Sequence, residues 1–182
     1  FQNVGTRTQW TDSAPDTDYR SIGEPRWSPL ISDPAGDQFG GVGPDMTGVD
    51  VYRKRDMIQF RVRANGMDFA NLKGSTFIDV DRNPATGYSA NLTNDIGADY
   101  LAVITTNTAD GTMPRLTGTL FRWTGMAWEN VTGLGIFTDG NYYWFGIKYS
   151  NLVNPNSSPE EGDMNVEQAL GTLTPDTATD KA

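Results

Sequence analysis

The chain contains neither cysteine nor histidine. Disulfide staples and thiol catalysis are thereby excluded, as are imidazole bases and the usual side-chain ligation of zinc, haem or copper. No apolar run approaches the roughly 18 residues that a membrane-spanning helix needs. Basic residues are scarce, with 14 Lys and Arg against 23 Asp and Glu, for a formal net charge of −9. Nucleic acid is therefore not an expected partner, because phosphate binding needs a basic footprint. A divalent cation suits the charge balance better. Catalytic signatures are missing as well: there is no P-loop, dinucleotide fingerprint or nucleophile elbow. Glu24, Glu129, Glu160, Glu161 and Glu167 carry no motif around them, so an enzyme is not expected. The chain opens on Phe1 without a signal peptide, and reads as a processed product whose leader has been removed.

What is present suits one domain with extensions. The 182 residues are 37% hydrophobic and 11% aromatic, with 20 Gly and 10 Pro to supply turns. Such a mixture predicts an all-β, antiparallel β-sandwich of immunoglobulin or jelly-roll type. Val49, Val51, Ile58, Phe60 and Val62 alternate with polar residues around the turn at Arg53–Asp56, as half-buried antiparallel strands do. Strands are also expected at 76–80, 100–105, 116–123, 127–131 and 141–149, the last the most aromatic. Phe60, Val62, Phe77, Ile78, Val103, Phe145 and Ile147 are the expected core. Residues 67–72 have room for one helical turn, and 166–173 form a last strand or a brief helix.

The richest stretch begins at Phe77. The apolar Phe77, Ile78 and Val80 run into Asp79, Asp81 and Asn83, spaced two apart, and Asp99 precedes the next apolar run. Oxygen donors so spaced on a bending backbone can converge on a hard cation such as calcium. The stretch is not an EF-hand: Pro84 stands where the loop glycine belongs, and Ala90 where the bidentate Glu belongs. Turn chemistry alone is the competing reading, since Asp and Asn favour strand exits. A second acidic stretch, Asp33-Pro-Ala-Gly-Asp37 with Asp45 beyond it, favours a cation, because carboxylates gathered without one repel.

The order Asp-Pro-x-Gly-Asp, a strand pair, Ile-Asp-x-Asp-x-Asn-x-x-Thr-Gly, Gly-Ala-Asp-Tyr and a Trp-rich hairpin resembles a secreted β-sandwich family. That family is related to the DOMON and family 9 carbohydrate-binding modules. The resemblance runs from about Asp33 to Pro175, and implies a calcium-stabilised sandwich over 33–175 and a strand at 166–173. It leaves 1–32 as an extended N-terminal segment and 176–182 as a tail.

Val4, Thr6, Thr8 and Trp10 alternate along that segment and suit a strand added to a sheet edge. Given to a neighbouring copy, such a strand builds a homopolymer; folded back, it completes its own domain. Trp123, Trp128 and Trp144 are candidates for a flat sugar-stacking platform, Trp123 and Trp128 lying near a hairpin tip, although aromatics in a sandwich more often form core. Asn91, Asn130 and Asn156 open glycosylation sequons. The expected function is a secreted structural subunit of an extracellular filament or matrix, stabilised by calcium and joined by strand donation. The alternative is a carbohydrate-binding module.

Overall fold

The computed structural model describes residues 9–10, 27–37, 44–89, 96–107, 114–152, 164–172 and 177–181. Strands are numbered in chain order, and every pairing between them is antiparallel. A seven-stranded sheet runs β1 (Gln9–Trp10), β11 (Met164–Thr172), β5 (Leu72–Asp79), β6 (Tyr100–Asn107), β7 (Arg115–Trp123), β8 (Trp128–Leu134), with β12 (Thr177–Lys181) also on β11. A five-stranded sheet runs β2 (Ser28–Ser32), β3 (Asp45–Lys54), β4 (Met57–Asn65), β10 (Tyr142–Lys148), β9 (Ile136–Asp139). The two sheets pack face to face as a β-sandwich. No helix among the described residues is long and apolar enough to cross a membrane.

Alternation places the core. In β4, Ile58, Phe60, Val62 and Ala64 are buried while Gln59, Arg61 and Arg63 are half-exposed. Tyr143, Phe145 and Ile147 of β10 do the same next door, and the Phe60 and Phe145 ring centroids lie 5.5 Å apart. Each such side chain contributes about 1.5–3 kcal/mol when fully buried. One polar link ties the sheets: Gln168 of β11 donates from Nε2 to the Tyr143 hydroxyl at 3.4 Å, and accepts from the Thr76 hydroxyl of β5. A side chain at Gly74 would collide with the Tyr143 hydroxyl, so glycine makes room for it. Two of the chain crossings between sheets are short: Gly135 alone joins β8 to β9, and residues 66–71 join β4 to β5.

Several expectations need correction. Phe77 and Val103 are half-buried on the outer face of the seven-stranded sheet, because period-two alternation turns Thr76 and Ile78 inward. Residues 67–71 are turn and bend, without a helix. Segment 1–32 is not wholly separate from the sandwich: 28–32 form β2, and Gln9 and Trp10 pair with Asn165 and Met164 of the same chain. Within the 176–182 tail, Thr177–Lys181 pair with β11 as β12. These short segments join by backbone bonds to a sheet edge, which leaves little side-chain pattern to read. Val4, Thr6 and Thr8 lie outside the described residues.

Candidate metal centre

Asp79 closes β5, Asp81 follows it into the loop, and Asp99 immediately precedes β6. Their carboxylates each offer an oxygen within 4.8 Å of the others, and among the described residues this is the sole such group of three or more acidic side chains. The loop folds on its own oxygens. Asp79 Oδ1 accepts the Arg82 N–H at 2.6 Å, Asp81 Oδ1 that of Asn83 at 2.9 Å, and Asp99 Oδ2 that of Val80 at 3.0 Å. The Thr86 hydroxyl lies within hydrogen-bond reach of both Asp81 oxygens, at 3.2 and 3.1 Å, and of the Asn83 carbonyl, at 2.9 Å, with one proton to share among them. Arg82 is held at φ 57, a left-handed backbone that a side chain disfavours.

The return leg is pinned just as closely. Tyr88 and Ala98 exchange backbone bonds of 2.8 and 2.9 Å, so the loop closes as an isolated bridge. Gly97, at φ 68, lies where a Cβ would strike the carbonyl oxygens of Thr86 and Asn83. Glycine is thus required for both space and dihedral.

Burial dominates the electrostatics. Asp79 has 0% exposure, and desolvation pushes its carboxyl up to about 6. The Asn165 amide and Arg82 N–H oppose that rise, while neighbouring Asp81 and Asp99 add to it. Desolvation likewise raises Asp99, with the charge of Asp81 contributing and the Val80 N–H opposing. Three carboxylates at this spacing disfavour one another's ionised forms. A cation removes that conflict, and with no nitrogen or sulfur ligand in the cluster the set suits a hard, oxygen-seeking ion. The three side chains can hold a metal ion between them.

Other predicted site residues fall elsewhere. Asn83 lies in the same loop as the cluster, and its side-chain oxygen accepts the Ala85 N–H at 3.1 Å, as an Asx turn. Asp33, Asp37 and Asp45 do not join the cluster. Asp45 opens β3 opposite Asn65, the last residue of β4, and β5 begins after the six intervening residues 66–71. Asp79 is at the far end of that eight-residue strand, roughly 23 Å along it. The two acidic stretches therefore occupy opposite ends of the sandwich. Asp45 instead accepts the Gly36 N–H on both oxygens, at 3.0 and 2.9 Å, and the Asn65 amide at 3.4 Å. Asp33 is buried at the exit of β2, and Asp37 is half-buried in the same connection.

Trp123 and Trp128 do meet, with centroids 5.2 Å apart, but their planes are tilted by 56° and both pack on Tyr88. This is a half-buried cluster above the metal loop rather than a flat platform. Asn130 is exposed on β8, whereas Asn91 and Asn156 lie outside the described residues. Asn165 was not legible as a site residue: 86 positions from Asp79, it donates to Asp79 Oδ2 at 2.8 Å only because β11 pairs with β5.

Fold and centre together define an antiparallel β-sandwich with an acidic, oxygen-only cluster at one end. No family model, curated protein or solved structure matches the chain.

Proposed function

We propose that the protein is a secreted, calcium-stabilised structural subunit, which builds an extracellular filament or matrix by donating its N-terminal strand to a neighbouring copy. One rung across three strands carries this reading: Asp79 of β5 stands opposite Asn165 of β11, which stands opposite Gln9 of β1. Because the Asn165 amide also binds the Asp79 carboxylate, a cation on Asp79 stiffens the strand on which the N-terminal segment docks. Ordering a donated strand costs roughly 1–2 kcal/mol per residue, which a preformed edge offsets best. In the chain itself the described residues of β1 pair at Gln9 and Trp10 with Asn165 and Met164, the edge on which a donated strand would dock. Head-to-tail exchange does not close on itself, so it propagates as a filament. The net charge of −9 sets copies against one another, and bound cations relieve that repulsion.

The test is sizing in calcium of the full chain and of a chain lacking residues 1–12. Full-length protein should form polymers that a chelator disperses, while the truncated chain stays monomeric. Truncated chains that polymerise like the full chain would exclude this donor strand. Full-length chains that stay monomeric at high concentration would overturn the filament reading.

A second reading, carbohydrate binding, is favoured by a different surface from Trp123 and Trp128. On the outer face of the five-stranded sheet, Phe137 is 57% exposed and stacks on Trp144 at 5.4 Å and 17°, with Tyr142 alongside. Retention on insoluble cellulose or chitin, lost on Trp144→Ala with the fold intact, is the expected outcome. No retention on any polysaccharide removes this reading.

A further inference from the structure

Strand β11 has two edges, and β5 fills one of them from Asn165 to Thr172. The other edge is divided. β1 holds its start, with Trp10 opposite Met164 and Gln9 opposite Asn165. β12 holds its end, with Lys181 opposite Ala169, Asp180 opposite Leu170, Ala178 opposite Gly171 and Thr177 opposite Thr172. Both run antiparallel to β11, so both present the same polarity to the same row of backbone groups.

We infer that this edge is a single acceptor track for which the N-terminal strand of a second copy and the chain's own β12 compete, with β12 acting as a displaceable cap. The inference rests on the strand-donation reading and adds its regulation. A donated strand that kept the register of Gln9 and Trp10 would set its residue 8 opposite Val166, 7 opposite Glu167, 6 opposite Gln168, 5 opposite Ala169 and 4 opposite Leu170. Directly opposed residues share a face of the sheet. In that register Val4, Thr6, Thr8 and Trp10 of the donated strand would share a face with Leu170, Gln168, Val166 and Met164, which are all buried. The donated Arg7 would then stand opposite the buried Glu167, so the register also matches charge.

From Gly5 onward the track enters the rungs that β12 occupies. One row of N–H and C=O groups cannot serve two strands, so a fully seated N-terminal strand expels β12. The cap is the weaker occupant. Its Thr-Ala-Thr-Asp-Lys sequence has no large apolar residue, and its ladder is broken by an irregularity between Leu170 and Gly171. Val4 opposite Leu170 supplies the apolar pair that β12 lacks. Capping thus holds single copies apart until a neighbour's strand displaces β12.

Because the chain has no cysteine, the pair Thr172→Cys/Thr177→Cys can lock β12 onto β11 with a unique, reversible disulfide. A labelled peptide of residues 2–10 is titrated in calcium onto four full-length proteins: wild type, the oxidised lock, the same lock reduced, and Ala178→Pro, in which proline breaks the β12 ladder. Melting curves verify that each is folded. The peptide should bind the oxidised lock at least tenfold more weakly than wild type, regain wild-type affinity on reduction, and bind Ala178→Pro at least tenfold more tightly. Equal affinities, or binding to none of them, overturn the shared track. If the disulfide does not form, the comparison of Ala178→Pro with wild type decides the matter alone. Sizing the same samples separates the two ideas. Monomers whose peptide affinities follow the stated order sink the filament and keep the track; polymers with flat peptide affinities sink the track alone.

Discussion

At the scale of residues, Asp79 dominates, because it is a carboxylate fully withdrawn from water at a strand end. Its carboxyl is pushed up to about 6 from an ordinary 3.8. Between those pH values the metal-free native chain binds more protons than the unfolded chain, so stability falls as pH rises through the window. The full effect is on the order of 2–3 kcal/mol. With chelator present, wild type should therefore lose stability relative to Asp79→Asn from about pH 4 to pH 6, then run parallel to it. Calcium should abolish that loss in wild type by taking the place of the proton. A pH-independent difference between the two chelated melting curves would contradict this. Gly97→Ala probes the same loop sterically: it should cost about 1–3 kcal/mol and weaken calcium binding at least tenfold, read by melting and by calcium titration. An unchanged affinity would mean that the loop tolerates a wider turn than its carbonyl contacts imply. The local spacing made Asp79, Asp81 and Asp99 legible in the sequence. Asn165 required the β5/β11 register, which no local pattern encodes.

Among the elements, the β7–β8 hairpin is wired to the metal loop. The Trp123 N–H donates to the Asp99 carbonyl at 2.8 Å, and Tyr88, leaving the loop, wedges against Trp123 and Trp128. Tryptophan emission should therefore shift as calcium is titrated in. Tyr88→Ala should remove most of the shift; a variant that keeps all of it would assign the signal elsewhere. Legibility here followed burial on one face. β3, β4 and β10 carry apolar residues at period two and were readable from them. β2, β9 and β12 are short edge segments whose place depends on a neighbour's free backbone groups, and their sequences say little about it. The hairpin tip was readable as a turn, but the tilted packing of its tryptophans on Tyr88 was not, since Tyr88 comes from a different connection.

For the whole molecule, two sheets were foreseeable from the number and spacing of apolar strands, whereas the separation of the acidic stretches was not. Asp33, Asp37 and Asp45 look like partners for Asp79 in a list of carboxylates. The crossing from β4 to β5 sends them to opposite ends instead. The one-residue crossing at Gly135 has a mechanical meaning. A single residue joins β8 to β9, and Leu134 and Ile136 on either side both pack against the core. The sandwich is bound like a book, with its tightest joint, a one-residue spine, between β8 and β9. Its fore-edge is β11 and β2, where both chain ends are attached. A strand clasped at that fore-edge therefore lies farthest from the spine, where it has the most leverage in holding the covers together.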